Sequence, residues 1–106
     1  METPVAVRRM VEATNSGDRD AFVDAFTEDA YLEDWGREFH GREGVASWNE
    51  TDNIGKNAHF KATGTVERDG RYIVTLVVTG GGFNGTSDIA FEVEGDRIRS
   101  MVISAD

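Results

Sequence analysis

Helical patterning before residue 58 and strand patterning after it restrict what this chain can fold into more than any other feature. Four runs, AHFKATGTVER (58–68), RYIVTLVVT (71–79), TSDIAFEVE (86–94) and RIRSMVIS (97–104), are rich in β-branched and aromatic residues and mostly alternate in polarity. Asp69-Gly70, the glycine-rich GGGFNG and Gly95-Asp96 separate them, and such turn sequences return each strand antiparallel to the one before. RYIVTLVVT is apolar at both parities, which predicts a central strand covered on both faces. AHFKATGTVER instead places Phe60, Ala62, Gly64 and Val66 on one face.

The first half follows a 3.6-residue period. Thr3-Pro4 has the form of an N-cap followed by a first helical residue, Val7, Met10, Val11 and Thr14 share a face, and Asn15-Ser16-Gly17 supplies the stop. Asp18 then caps a second helix that carries Phe22, Ala25 and Phe26 on one side, with Asp20 in the first turn where the helix dipole favours an anion. Residues 30–41 change to short alternating runs around Trp35-Gly36, a small hairpin, and residues 42–53 return to helical character with Val45 and Trp48 as anchors. Helices first and strands last define an α+β domain, and 106 residues leave room for one domain, spanning 1–106.

Composition narrows the function. Twenty acidic against eleven basic residues give a net charge of −9, which disfavours nucleic acid as a partner. There is no cysteine, so disulfides, thiolate nucleophiles and zinc–thiolate sites are excluded. No stretch approaches the roughly 18 apolar residues of a membrane span, and the first residues lack a secretory pattern, so the expected location is the cytoplasm. Gly80, Gly82 and Gly85 satisfy G-x-G-x-x-G, but a strand follows them where dinucleotide binding needs a helix N-terminus, so they read as a hairpin loop. His40 and His59 lack a ligand frame, and neither a metal nor a cofactor is expected.

One acidic residue stands out. Strand alternation puts Ala30, Leu32 and Asp34 on one face and Tyr31 and Glu33 on the other, so the Asp34 carboxylate shares a face with Leu32. Asp before Trp-Gly also suits a hairpin bend, and both readings of Asp34 remain open on pattern alone.

Residues 22–48, FVDAFTEDAYLEDWGREFHGREGVASW, resemble the core signature of the nuclear transport factor 2-like superfamily, in particular its SnoaL-like and ketosteroid isomerase-like members. Those members show a pattern of the type F-x-D-D-A-x-x-x-D-P-x-G, then H-G-R-E and a hydrophobic helix. The order of the elements around the segment is also similar. The resemblance implies a cone: a curved antiparallel sheet wrapped around three N-terminal helices, open at one end to an apolar pocket, and commonly a homodimer through the sheet. Val74, Leu76 and Val78, or their alternates, would then form the convex dimer face.

In the resemblance Asp34 falls on the general-base aspartate that carries a proton between two carbons, with Trp35 in place of the usual proline. The three phenols that support the isomerase's oxyanion correspond to Met10, Phe26 and Asn49. The second acid of that oxyanion hole maps without gaps onto Asp88, although alternation with Ile89, Phe91 and Val93 points Asp88 the other way. Asp34 and Asp88 are therefore the catalytic candidates, and Met10, Phe22, Phe26, Leu32, Trp48 and Phe60 the expected ligand contacts. Two functions compete. One is acid–base catalysis of the isomerase or cyclase type on a small apolar carbonyl compound, with Asp34 as proton shuttle. The other is a ligand-binding or dimerising domain without turnover; a second polar group facing Asp34 would favour the enzyme.

Overall fold

The computed structural model describes residues 1–104. Helix α1 (Val5–Ser16) begins one residue later than Thr3-Pro4 predicts: Pro4 is itself the cap residue, and the Thr3 hydroxyl pairs with Thr65 Oγ1 at 2.8 Å. Gly17 ends α1 with φ of 72°, the left-handed conformation that costs a glycine least, and Asp18 N–H reaches back to Ala13 O. Asp18 caps α2 (Arg19–Asp24) by accepting from Ala21 N–H at 3.1 Å. This helix is shorter than its apolar spacing suggests. Ala25 closes it, and Phe26 opens a strand instead of continuing the helical face.

That strand, β1 (Phe26–Asp34), turns at Trp35-Gly36 into β2 (Arg37–His40), followed by α3 (Gly41–Asp52) and a single 3₁₀ turn (Ile54–Lys56). The remaining strands are β3 (His59–Arg68), β4 (Arg71–Thr79), β5 (Gly85–Glu94) and β6 (Arg97–Ile103). All six form one curved, unclosed sheet in the order β2-β1-β6-β5-β4-β3. Four pairings are antiparallel, but β1 and β6 run parallel, so the sheet is mixed. The long excursion through α3 and four strands makes this possible, because parallel neighbours need a crossover.

The inner face of the sheet packs on the helices, and the core is continuous from Val7 and Met10 of α1 through Phe22 to Phe91 and Met101 of the sheet. Val74, Leu76 and Val78 lie on this inner face, so the outer face of β4 carries their alternates, the half-buried Ile73, Thr75 and Val77. β4 thus sits beside the edge strand, with its inner face filled and its outer face half-covered. In β3 the expected single apolar face is broken by an irregularity between Ala62 and Gly64. The extra residue inverts the alternation, turning Thr65 inward and leaving Val66 51% exposed. No helix among the described residues is long and apolar enough to cross a membrane.

β3 is an edge strand, and the Asn15 side chain serves it as a partner. Asn15 Nδ2 donates to Phe60 O at 2.9 Å and Asn15 Oδ1 accepts from Phe60 N–H at 2.8 Å. Replacing Asn15 by Leu removes both bonds and leaves a half-buried amide unpaired. A loss of about 1–3 kcal/mol is expected in urea unfolding, and an unchanged midpoint would contradict this anchoring.

Candidate functional site

The aromatic side chains of the closed end decide where space is left. Phe22 lies between Phe26, with ring centroids 5.3 Å apart, and the stacked Trp48 at 6.1 Å. Met10, Phe22, Phe26 and Leu32 are completely buried in this packing and do not border the cavity. Of the six expected ligand contacts, Trp48 and Phe60 line it. Met10 and Asn49, two of the positions matched to phenols, belong to a buried polar knot: Asn53 Nδ2 donates to Asn49 Oδ1 and to Thr14 Oγ1, both at 3.0 Å, and Thr14 Oγ1 contacts Met10 Sδ at 3.8 Å.

The cavity occupies about 460 Å3 at the other end of the cone. Phe60, Val78, Ile89 and Ile103 supply apolar wall from the sheet, and Asp34, Asp52, Asn53, Lys56 and Ser87 supply polar groups. Asp34 is the last residue of β1 and Arg37 the first of β2; they are cross-strand partners on either side of the two-residue turn. From α3, Trp48 and Asp52 sit one helical turn apart on the face that meets this hairpin. The result is a closed network. Trp48 Nε1–H donates to Asp34 Oδ2 at 2.9 Å, and Arg37 bridges Asp34 Oδ2 at 2.7 Å and Asp52 Oδ1 at 3.0 Å. Thr51 Oγ1 donates to Asp52 Oδ2 at 2.6 Å.

Asp34 thereby has one oxygen anchored twice. Its other oxygen, Oδ1, accepts no hydrogen bond among the described residues, and the side chain is only 16% exposed. At Asp52, burial pushes the carboxyl up, but Arg37, Thr51 and the charge of Lys56 together outweigh it and hold the group below its ordinary value of 3.8. Arg37 is raised in turn, chiefly by its bond to Asp52 and against its own desolvation.

Asp88 touches the rim, yet its carboxylate lies on the outer face. It is the cross-strand partner of Thr75, whose Oγ1 donates to Asp88 Oδ1 at 2.6 Å, while the adjacent Ile89 is buried on the inner face opposite Val74. Neither Tyr72 nor Thr79 borders the cavity. Arg37, Asp52, Asn53, Lys56 and Ser87 were not anticipated. Two sequence signals for the network were available: the i, i+4 spacing of Trp48 and Asp52, and the position of Asp34 and Arg37 on either side of a two-residue hairpin turn.

Lys56 is held at the cavity by the glycine-rich loop of residues 80–84. Gly81 N–H donates to Lys56 O at 2.8 Å, and Gly80, at φ of 145°, packs so close that a Cβ would stand 2.8 Å from Asn57 O. The loop is thus a brace for the cavity mouth, with Asn84 accepting from Gly80 N–H and donating to Gly80 O and Gly82 O.

The family model for the SnoaL-like domain matches residues 7–101. The chain belongs to the SnoaL-like family. Solved structures agree on the fold. A candidate polyketide cyclase from Sinorhizobium meliloti superimposes with a TM-score of 0.85 at 22% identity, covering 96% of this chain and 95% of that one. Delta 5-3-ketosteroid isomerase from Mycobacterium sp. gives 0.79 at 16% identity, with 95% and 90% covered. The epoxide hydrolase/cyclase-like enzyme SalBIII, of pyran ring formation in salinomycin, gives 0.78 at 19%, with 93% and 86% covered. No curated protein matches the sequence. The expected nuclear transport factor 2-like architecture is therefore present in this SnoaL-like domain.

The Arg37–Asp52 pair has a measurable pH signature. A carboxyl held lower in the folded than in the unfolded state stabilises the fold fully above the ordinary value of 3.8 and loses that contribution as pH falls below it. Asp52→Asn is expected to lower the Tm near neutral pH, and its deficit against the wild type should shrink below about pH 3. A deficit that is constant across that range would remove the pair from the stability account.

Proposed function

We propose that this SnoaL-like domain is an acid–base enzyme of the isomerase or cyclase type acting on a small, largely apolar carbonyl compound, with Asp34 as the proton shuttle. The observation that carries this reading is Asp34 itself. One carboxylate oxygen is fixed by Trp48 and Arg37, and the other is unengaged at the wall of a mainly apolar cavity. Fixed geometry is what a general base needs, because proton transfer depends on the acceptor being held at hydrogen-bond distance from the carbon acid.

In the proposed cycle Asp34 Oδ1 removes the proton from a carbon adjacent to the carbonyl, and the electron pair moves onto the carbonyl oxygen as an enolate. The protonated Asp34 then returns the proton at another carbon, completing an isomerisation. In a cyclisation the enolate carbon attacks a second carbonyl of the same molecule, and the proton passes to the new alkoxide. The enolate needs a counter-charge. No phenol borders the cavity, and Lys56 is the cationic side chain that does; no ion pair within 4.0 Å engages it among the described residues. Its ammonium is the electrophile of this reading. Substrates that delocalise their own charge, such as polyketide-like dicarbonyls, are favoured over unactivated steroids. The ion pair with Arg37 supports a second reading, in which Asp34 only accepts a hydrogen bond from a bound ligand.

Exchange of the acidic protons of an aryl 1,3-diketone into D2O, followed by NMR, separates the two. Asp34→Asn should lower the enzyme-dependent rate by about 10²-fold or more and leave affinity nearly intact. Lys56→Met should lower it by about tenfold or more. Full activity in Asp34→Asn would end the shuttle role. Absence of exchange across a broad carbonyl panel would favour the binding domain.

We also propose a homodimer formed through the outer sheet face, where Ile73, Val77, Ala90 and Val102 are half-buried and Val66 is exposed. Sedimentation at micromolar concentration should give about twice 11.7 kDa, and a monomer there would remove the claim.

A further inference from the structure

The three two-residue turns of the sheet differ in a way that folding does not explain. Asp69-Gly70 joins β3 to β4 with φ of 54° and 79°, and Gly95-Asp96 joins β5 to β6 with Gly95 at 63°. Both use residues that accept the left-handed region at little cost. The turn between β1 and β2 has the geometry of Asp69-Gly70, with φ of 52° and 85°, but its first position is Trp35. A bulky side chain there is an outlier, since its Cβ crowds the backbone in that region.

The indole gains nothing visible in return. Trp35 is 59% exposed, forms no aromatic pair and makes no side-chain hydrogen bond among the described residues. Its position is informative. The turn follows Asp34 directly, and Trp35 borders the cavity. Among the exposed large apolar side chains of the described residues only Trp35 and Phe83 are aromatic, and Phe83, on the braced loop of residues 80–84, borders the same cavity. Two costs therefore meet at one place, a conformation unfavourable for the residue and an apolar ring left in water. Strain kept at a cavity wall is the pattern of a group retained for contact with a ligand.

We propose that Trp35 is a ligand-contact residue that selects flat, conjugated ring systems, retained at the expense of turn stability. The indole presents a broad π face beside Asp34, and Phe83 supplies a second ring at the mouth. A planar conjugated ligand gains offset stacking on such rings, and a saturated ligand of equal size gains only burial. This deepens the acid–base reading by naming the shape of its substrate, and it rests on that reading only in taking the same cavity as the ligand site.

The test uses two probes with the same carbon skeleton, 2-naphthol and decahydro-2-naphthol, titrated calorimetrically against the full chain, together with thermal unfolding. Trp35→Asn creates an Asn-Gly turn, the favoured sequence for this geometry, so the Tm should rise by about 4 °C or more. The same variant should bind 2-naphthol roughly five- to tenfold more weakly and decahydro-2-naphthol less than about twofold more weakly. Trp35→Phe should recover most of the naphthol affinity. Equal naphthol affinity in wild type and Trp35→Asn, equal losses for both probes, a lowered Tm, or no saturable naphthol binding by the wild type would each overturn the proposal. Proton exchange is read separately. Exchange that depends on Asp34 together with naphthol binding indifferent to Trp35 sinks this inference alone, and the expected binding pattern without exchange sinks the catalytic reading alone.

Discussion

Trp48 stacks on Phe22 inside the core and donates its Nε1–H to Asp34 at the cavity wall, so one indole fixes both the packing of the closed end and the position of the carboxylate. The rest of the site is arranged around that junction. Phe22 and Phe26 fill the space beneath it, which moves the open volume toward the Asp34 end of β1. Asp52, one turn further along α3, meets Arg37 because Trp48 has already set the rotation of the helix against the hairpin. A smaller residue at position 48 would leave a void in the core and an unanchored acid at the same time. Core and site are coupled through a single side chain.

The architecture was legible because local pattern and tertiary role agree over most of the chain. Turn pairs, the Asp18 cap and the glycine stop at Gly17 are decided by backbone chemistry that acts within a few residues, and each is seen where the pattern puts it. The failures occur where a distant partner overrides the local pattern. Phe26 has helical spacing with Phe22, but its backbone is captured by β6 opposite Ile98 and by Arg42, which donates to Phe26 O from Nε and Nη2. The Ala62–Gly64 irregularity has no signature beyond a glycine, and it reverses the face of everything after it on β3.

The site was legible only at its centre. Alternation along β1 put Asp34 on the face of Leu32, and the alternation of β5 turned Asp88 away from the cavity interior against an ungapped match. Apart from Arg37, which faces Asp34 across the two-residue turn, the groups around Asp34 come from α3, the 3₁₀ turn and β5, and no local rule joins elements so far apart in sequence. The size of the pocket was also hidden. Which aromatic residues fill a cone and which line it depends on the depth of each in the finished packing, and periodicity gives only the face.

The parallel pairing of β1 with β6 constrains the order of assembly. Leu32, Glu33 and Asp34 find their inner sheet neighbours in Met101, Val102 and Ile103, and Trp35 N–H closes on Ile103 O at 2.9 Å. The hairpin that carries Asp34 and Arg37 therefore lacks its neighbouring strand until residues 97–103 have emerged during synthesis. Closing a loop of that length is entropically costly and slow, so β3, β4 and β5, joined by short turns, have a kinetic head start. A nascent chain halted before β6 would carry every residue of the Asp34–Arg37–Asp52 cluster without the strand that backs it.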